Sequence, residues 1–278
     1  MHSAKNIKAA VIGHPIKHSL SPRLHGFWLN KYRLEGSYEA IEVKPENLQQ
    51  ILRDLPKKNF RGVNLTVPHK ETALPIVDHV DDLARRVGAV NTIVVREDGT
   101  LEGRNTDVFG FGGNLRAGGY KPNNRPVTLL GAGGASRAAL VALIDMGITD
   151  IRIMNRTLDR AEKLAQKFGA DKIHAYKWDD PQAFDNISLL INATSLGLAG
   201  QPPLILNLDT LPCDAVVTDM VYAPLITDLL QRAQSRGNPI IDGLGMLLHQ
   251  ARPAFQAFFG VDPEVTPELR QHVLEGIA

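Results

Sequence analysis

The chain has a single cysteine, Cys213, among its 278 residues, so no internal disulfide can form. A lone thiol suits a reducing compartment, and a cytoplasmic location is expected. An excess of either charge is also missing. Lys and Arg number 31 against 30 Asp and Glu, a formal net charge of +1. That balance gives no electrostatic footprint for nucleic acid or an anionic membrane, and it points to small-molecule partners. No long apolar run occurs either. The longest uncharged stretch, Asn186 to Leu208, is broken by Asn192, Gly197, Gly200 and Pro202-Pro203, which no membrane helix carries together. The segment from Met1 to Lys8 has no apolar core, so no signal peptide is expected. His14, His18 and His25 lie close in sequence, but no carboxylate or cysteine stands beside them at ligand spacing. No metal site is therefore expected.

What is present is a tight glycine turn, Gly131-Ala132-Gly133-Gly134-Ala135-Ser136. It follows the apolar run Val127-Thr128-Leu129-Leu130 and precedes a helix-like stretch from Arg137 to Met146. Strand, glycines and helix in that order build a dinucleotide site. The glycines let the backbone approach a pyrophosphate, and the helix turns its free amides and positive dipole end toward it. A second strand, Ile151 to Met154, should run parallel beside the first and carry the ribose reader at its end. In NAD-binding units that reader is usually an acid. Here the place reads Asn155-Arg156-Thr157, with Arg160 one helical turn on. Guanidinium groups suit a 2′-phosphate, so the expected cofactor is NADP rather than NAD.

Apolar runs, caps and turn residues predict alternating strands and helices. Strands are expected at Ala9–Ile12, Ser37–Ile41 and Gly62–Val67. A hairpin is expected from Ala89–Arg96 and Leu101–Asn105 about the turn Glu97-Asp98-Gly99-Thr100. A helix should start at Ser21-Pro22, with the serine as N-cap, and others near Pro45–Leu55, Asp81–Val87 and Asp107–Gly118. Beyond the glycine turn, strands at Leu189–Asn192, Ala215–Asp219 and Pro239–Asp242, with helices Asp159–Phe168 and Leu225–Arg236, complete a doubly wound sheet. Helices Met246–Phe259 and Pro267–Glu275 come after it. The expected architecture is α/β in two domains facing each other across a cleft. Residues 107–242 form a Rossmann NADP-binding domain that includes the linking helix. Residues 1–106, completed by helices within 243–278, form the substrate-binding and catalytic domain.

Polar clusters at strand ends concentrate outside the nucleotide unit. They read H-S-x-S-P at His18 to Pro22, N-x-T-x-P-x-K at Asn64 to Lys70, G-A-V-N-T at Gly88 to Thr92 and N-T-D at Asn105 to Asp107. G-A-G-G-A-S at Gly131 to Ser136, N-R-T at Asn155 to Thr157, N-A-T-S at Asn192 to Ser195 and D-G-L-G-M at Asp242 to Met246 follow. In this order, over nearly the whole chain, they resemble the shikimate dehydrogenase family, whose enzymes reduce 3-dehydroshikimate to shikimate with NADPH. The resemblance implies that Lys70 and Asp107 form a catalytic pair. It implies that Ser19 and Ser21 hold the substrate carboxylate, and that Thr66, Asn91, Tyr222 and Gln250 help hold the ring. It adds Thr194, Ser195, Gly243 and Met246 to the cofactor-binding set of Gly131, Ala132, Gly133, Gly134, Ala135, Ser136, Asn155, Arg156, Thr157 and Arg160. A homodimer is a further expectation.

The chemistry of those residues agrees with the resemblance. Hydride delivery to a ketone develops charge on oxygen, which an ammonium such as Lys70 can stabilise and protonate, while Asp107 fixes the lysine. The sequence also departs from the family, with Val108 and Phe109 after Asp107 where most relatives carry glycine. A β-branched residue adds bulk and stiffness beside the aspartate. Two alternatives stay open: a quinate/shikimate or aminoshikimate dehydrogenase relative, and a regulatory module that binds NADP without turnover. An intact Lys70 and Asp107 speak against the second.

Overall fold

A computed structural model describes residues 7–178 and 180–277. The chain divides into two compact units, one running to Asp107 and resuming over Leu247–Gly276, the other spanning Val108–Met246.

The first unit holds strands β1 (Ile7–Gly13), β2 (Gly36–Glu42), β3 (Phe60–Leu65), β4 (His79–Val80), β5 (Thr92–Val95) and β6 (Leu101–Arg104). They form one mixed sheet in the order β2-β1-β3-β5-β6-β4. β1 runs parallel to both β2 and β3, while β3-β5 and β5-β6 are antiparallel. Helices α1 (Ser21–Lys31), α2 (Leu48–Asp54) and α3 (Asp82–Val87) belong to this unit. A core of Ile12, Leu48, Leu52, Val63, Ile93 and Leu101 packs in it.

The expected hairpin forms, although its first strand is limited to Thr92–Val95, and Ala89, Val90 and Asn91 before it are buried but lie outside the strand. The short β4 was not foreseen, because two residues leave no periodicity to read. The capping expectation at α1 is corrected. Leu20 occupies the N-cap position with no side-chain hydrogen bond, and Ser21 is already helical. Ser19 Oγ instead accepts the Ser21 N–H at 3.3 Å, so the earlier serine closes the turn and leaves the Ser21 hydroxyl free of the capping role.

In the second unit, α4 (Asp107–Ala117) leads into six strands: β7 (Val127–Leu130), β8 (Ile151–Met154), β9 (Ile173–Tyr176), β10 (Leu189–Asn192), β11 (Val216–Asp219) and β12 (Ile240–Ile241). All neighbours run parallel, in the order β12-β11-β10-β7-β8-β9. That is the doubly wound order, with the direction of winding reversing between β7 and β10. Helices α5 (Gly134–Asp145), α6 (Leu158–Phe168) and α7 (Asp228–Ser235) cross between strands. Strand β9 was not foreseen, since two of its four residues are His174 and Tyr176 rather than an apolar run. Helix α7 starts three residues later than expected, where the Thr227 hydroxyl accepts the Leu230 N–H at 3.4 Å and caps it. Leu190, Leu206, Val217, Leu229 and Leu230 are part of this unit's own core. The final helices are α8 (Leu244–Phe259) and α9 (Pro267–Leu274).

Candidate active site and nucleotide site

In the first unit the chain after β3 leaves the sheet at Thr66 and returns toward β5, because the backbone carbonyl of Lys70 accepts the Val90 N–H at 2.7 Å. Lys70 Nζ then reaches Asp107 Oδ2 at 2.6 Å. The lysine side chain keeps 19% of its surface and the aspartate 5%. A pair this sheltered interacts more strongly than a surface ion pair, and it needs further hydrogen bonds to offset the loss of water. They are present. Asn91 Nδ2 donates to Asp107 Oδ1 at 2.8 Å and to Thr106 Oγ1 at 3.0 Å. Asn91 Oδ1 accepts the Thr106 N–H at 2.8 Å, and the Asp107 N–H is taken by Asn105 Oδ1 at 3.0 Å. Asn105 is itself tied to the Ala89 carbonyl at 2.9 Å. Thr106 Oγ1 lies 3.3 Å from Gln250 Oε1, on helix α8.

Lys70, Asn91, Asp107 and Gln250 are therefore brought together. The other predicted substrate residues are not bonded to this cluster. Ser19 is half-buried and Ser21 is buried at the start of α1; Thr66 is half-buried at the end of β3. Tyr222 lies in the second unit, after β11. Thr106, Asn105 and Asn64 carry roles in the network that residue-type reasoning did not assign. A signal for Asn64 was legible in the sequence, as an amide between the apolar Val63 and Leu65 of β3. Its side chain is 6% exposed, and a polar group so buried must be hydrogen-bonded.

In the second unit β7 delivers Gly131 with φ +104, a conformation that favours glycine. A Cβ there would lie 3.0 Å from Thr194 Cγ2 and 3.3 Å from the Ala193 carbonyl. The loops after β7 and β10 thus meet at the point where the winding reverses. A Cβ at Gly133 would meet nothing within 4 Å, so the backbone there is open to a ligand. Gly133 N–H is held by Ser136 Oγ at 3.3 Å, and the 12-residue α5 begins at Gly134. Its first amides have no partner within the helix. The loop after β10 is pinned from below. Asn192 Oδ1 accepts from Thr194 N and Oγ1 at 3.0 and 2.7 Å, and Asn192 Nδ2 donates to Asp219 Oδ1 at 2.9 Å. Asp219 also accepts from Val221 N and Thr227 Oγ1, and burial still raises its carboxyl above the usual range. Ser195 is exposed and Met246 half-buried. Gly243 sits where a Cβ would press on the Val221 and Asp219 carbonyls at 2.5 and 2.7 Å.

At the end of β8, Asn155 Nδ2 donates to the Thr157 carbonyl at 2.8 Å. Thr157 is the N-cap of α6 and makes no side-chain capping bond. Arg156 and Arg160 are exposed, and among the described residues neither guanidinium has a hydrogen bond or ion pair. Free guanidinium groups beside an uncapped helix start fit a phosphate, and the open glycine turn fits a pyrophosphate. The residues present therefore fit a phosphorylated dinucleotide. Among the described residues no group of three or more His, Cys, Asp or Glu is placed to hold a metal. No helix among them is long and apolar enough to cross a membrane.

Residues 11–93 match the shikimate dehydrogenase substrate binding domain, and residues 117–199 match the shikimate / quinate 5-dehydrogenase family. A shikimate dehydrogenase (NADP(+)) of Paramagnetospirillum magneticum is 52% identical over 98% of this chain and 99% of its own length. A shikimate 5-dehydrogenase of Thermus thermophilus, solved in complex with NADP(H) and shikimate, superposes with a TM-score of 0.88 at 39% identity, covering 97% of this chain and 99% of that one. A quinate dehydrogenase of Corynebacterium glutamicum, solved with NAD, superposes with a TM-score of 0.89 at 29% identity, covering 97% and 99%.

Proposed function

The chain belongs to the shikimate dehydrogenase family, and on that premise we propose that it catalyses the NADP-dependent, reversible reduction of 3-dehydroshikimate to shikimate. The observation that carries this reading at the level of residues is the Lys70 ammonium held 2.6 Å from Asp107, a sheltered carboxylate whose other oxygen accepts from Asn91. The first unit supplies the substrate-binding and catalytic domain, and the second is the NADP-binding domain.

NADPH, when bound, supplies the hydride. Lys70 stabilises the charge that develops on the carbonyl oxygen and gives it a proton, and in the reverse direction it takes the proton back. Asp107 keeps the ammonium in place through Oδ2 while Asn91 holds Oδ1. The carboxylate can then neither rotate nor lose its alignment. Ser19 and Ser21 hold the substrate carboxylate with hydroxyls at the start of α1, and Thr66, Asn91, Tyr222 and Gln250 contact the ring hydroxyls. The turn from Gly131 to Ser136 would hold the pyrophosphate of the cofactor, and Asn155, Arg156, Thr157 and Arg160 would hold its 2′-phosphate. Thr194, Ser195, Gly243 and Met246 line the remainder of the cofactor path. The protein works in the cytoplasm, as its lone thiol suggests, and as a homodimer, which its mass in solution would test.

The deciding experiment is nicotinamide absorbance with the purified protein, offering shikimate and quinate in turn with NADP and NAD. Turnover with shikimate and NADP well above the other three pairs is the expected result. Preferred turnover of quinate or use of NAD would assign the chain to the other branch of the family, and no turnover with any pair would make it a binding module.

A further inference from the structure

Behind Asn91 the hydrogen-bond network does not stop at the residues that the reaction uses. Thr92 Oγ1 donates to Asn91 Oδ1 at 3.1 Å. Asn64 Nδ2 donates to Thr92 Oγ1 at 2.9 Å, and the Tyr38 hydroxyl donates to Asn64 Oδ1 at 2.7 Å. The strand register explains how a side chain on β2 reaches β3. Tyr38 pairs with Ala9, and Ala9 with Gly62, so Tyr38 lies on the same face as Asn64, two residues beyond Gly62. Ala9 and Gly62 present almost no side chain on that face, and the tyrosine passes over them. Asn64 in turn stands directly opposite Thr92.

Each group in this series donates toward Asp107. A side-chain amide can be turned over with little change in shape, exchanging donor for acceptor. Thr92 Oγ1 can donate to Asn91 only while its own lone pair faces the Asn64 NH₂. If the Asn64 amide were reversed, its oxygen would compete for the Thr92 proton and Asn91 would lose a partner. The Tyr38 hydroxyl, which donates to Oδ1 and is also hydrogen-bonded to the Ser21 side chain, opposes the reversal together with the Asn91 backbone carbonyl, which accepts from Asn64 Nδ2 at 3.3 Å. Tyr38 is itself fixed, 8% exposed, with the His25 ring stacked on it at 3.8 Å and 2° between planes. Burial lowers the His25 pKa to about 3, so the stacking ring is neutral.

We infer that Tyr38 is a positioning residue of the reaction: its hydroxyl sets the donor direction of the chain Tyr38–Asn64–Thr92–Asn91 and thereby the aim of Asp107 at Lys70. The inference rests on the assignment of Lys70 and Asp107 as the reacting pair. Chains of like-directed hydrogen bonds reinforce one another in a buried setting, and members of one network lose their effect together rather than independently.

The test compares kcat and KM for shikimate in Tyr38→Phe, Thr92→Val, the double variant and Thr92→Ser, with Lys70→Ala alongside and folding followed by circular dichroism. Tyr38→Phe keeps the ring on His25 and removes only the hydroxyl. Each of Tyr38→Phe and Thr92→Val should lower kcat by about fivefold to tenfold, the size of one network hydrogen bond, with KM for NADP unchanged. The double variant should be no slower than the slower single, and Thr92→Ser, which keeps the hydroxyl, should retain kcat. Wild-type kcat in folded Tyr38→Phe, or losses that multiply in the double variant, would overturn the inference. Should Tyr38→Phe not fold, equal loss of kcat in Thr92→Val and Thr92→Ser would overturn it instead. Near-normal kcat in Lys70→Ala would overturn the assignment of the pair itself, a different outcome from any of these.

Discussion

Around Asp107 in the first unit, Lys70, Asn91, Thr106 and Asn105 all have partners within the protein, whereas at the end of β8 in the second unit Arg156 and Arg160 have none among the described residues. The two regions handle charge in opposite ways. On the proposed reading a proton moves at the first, and its dipoles are set beforehand, so little reorganisation is needed as charge develops. At the second, the proposed 2′-phosphate site, the guanidinium groups stand in water, so that their contact energy would go to binding when a phosphate arrives. A preorganised site loses rate when one member is removed. A waiting site loses affinity, and only for the ligand that carries the phosphate.

The largest expected effect breaks the first half of that comparison. Lys70→Ala should lower kcat by roughly 10² to 10⁴-fold, the usual contribution of general acid–base assistance, while NADP binding by fluorescence titration stays near normal. Asp107→Asn should act on the same step, and the two losses should not multiply in the double variant. Turnover near normal in Lys70→Ala at saturating shikimate and NADP would return Lys70 to the status of a strand-end lysine.

Next comes the waiting site. Arg156→Ala should weaken NADP binding by about ten- to hundredfold, since a hydrogen bond to a charged group is worth roughly 1.5 to 3 kcal/mol, and leave NAD binding nearly unchanged. Equal losses for the two cofactors would remove Arg156 from the 2′-phosphate.

A smaller change is expected at the substrate carboxylate. Ser19→Ala with Ser21→Ala should raise KM for shikimate about tenfold, two hydroxyl contacts at roughly the neutral hydrogen-bond value each, without altering NADP affinity. Because Ser21 is not the cap of α1, the structural losses are the Ser19 acceptor for the Ser21 N–H and the Ser21 side-chain hydrogen bond to Tyr38. An unaltered KM in the folded double variant would take the serines out of the site.

The smallest effect sharpens the contrast. Exposed charges are screened over about 8 Å at physiological ionic strength, so raising salt should weaken NADP binding by a few-fold and NAD binding less. Calorimetric titrations at two salt concentrations would measure it, and an identical salt dependence for the two cofactors would contradict a charge-based choice.

Local chemistry carried much of this in the sequence. The β7–glycine–α5 corner, the parallel β8 and the arginines at its end are short-range features, readable because a strand, a tight turn and a helix start each demand particular residues within a few positions. The segments N-x-T-x-P-x-K and N-T-D marked Lys70 and Asp107, 37 residues apart in sequence, through their resemblance to a family. Three things were decided only when the chain folded. The start of α1 has Leu20 rather than Ser21 as its cap, with the Ser21 N–H taken by the Ser19 side chain. The strand β9 came from pairing with β8, which can hold a segment with little apolar pattern of its own. The line from Tyr38 through Asn64 and Thr92 to Asn91 exists because β2, β1, β3 and β5 lie side by side in one sheet with their register set. Residue types along a sequence state which hydrogen bonds a side chain can make, but the partner and the direction of donation depend on which strands become neighbours, and that is a property of the sheet.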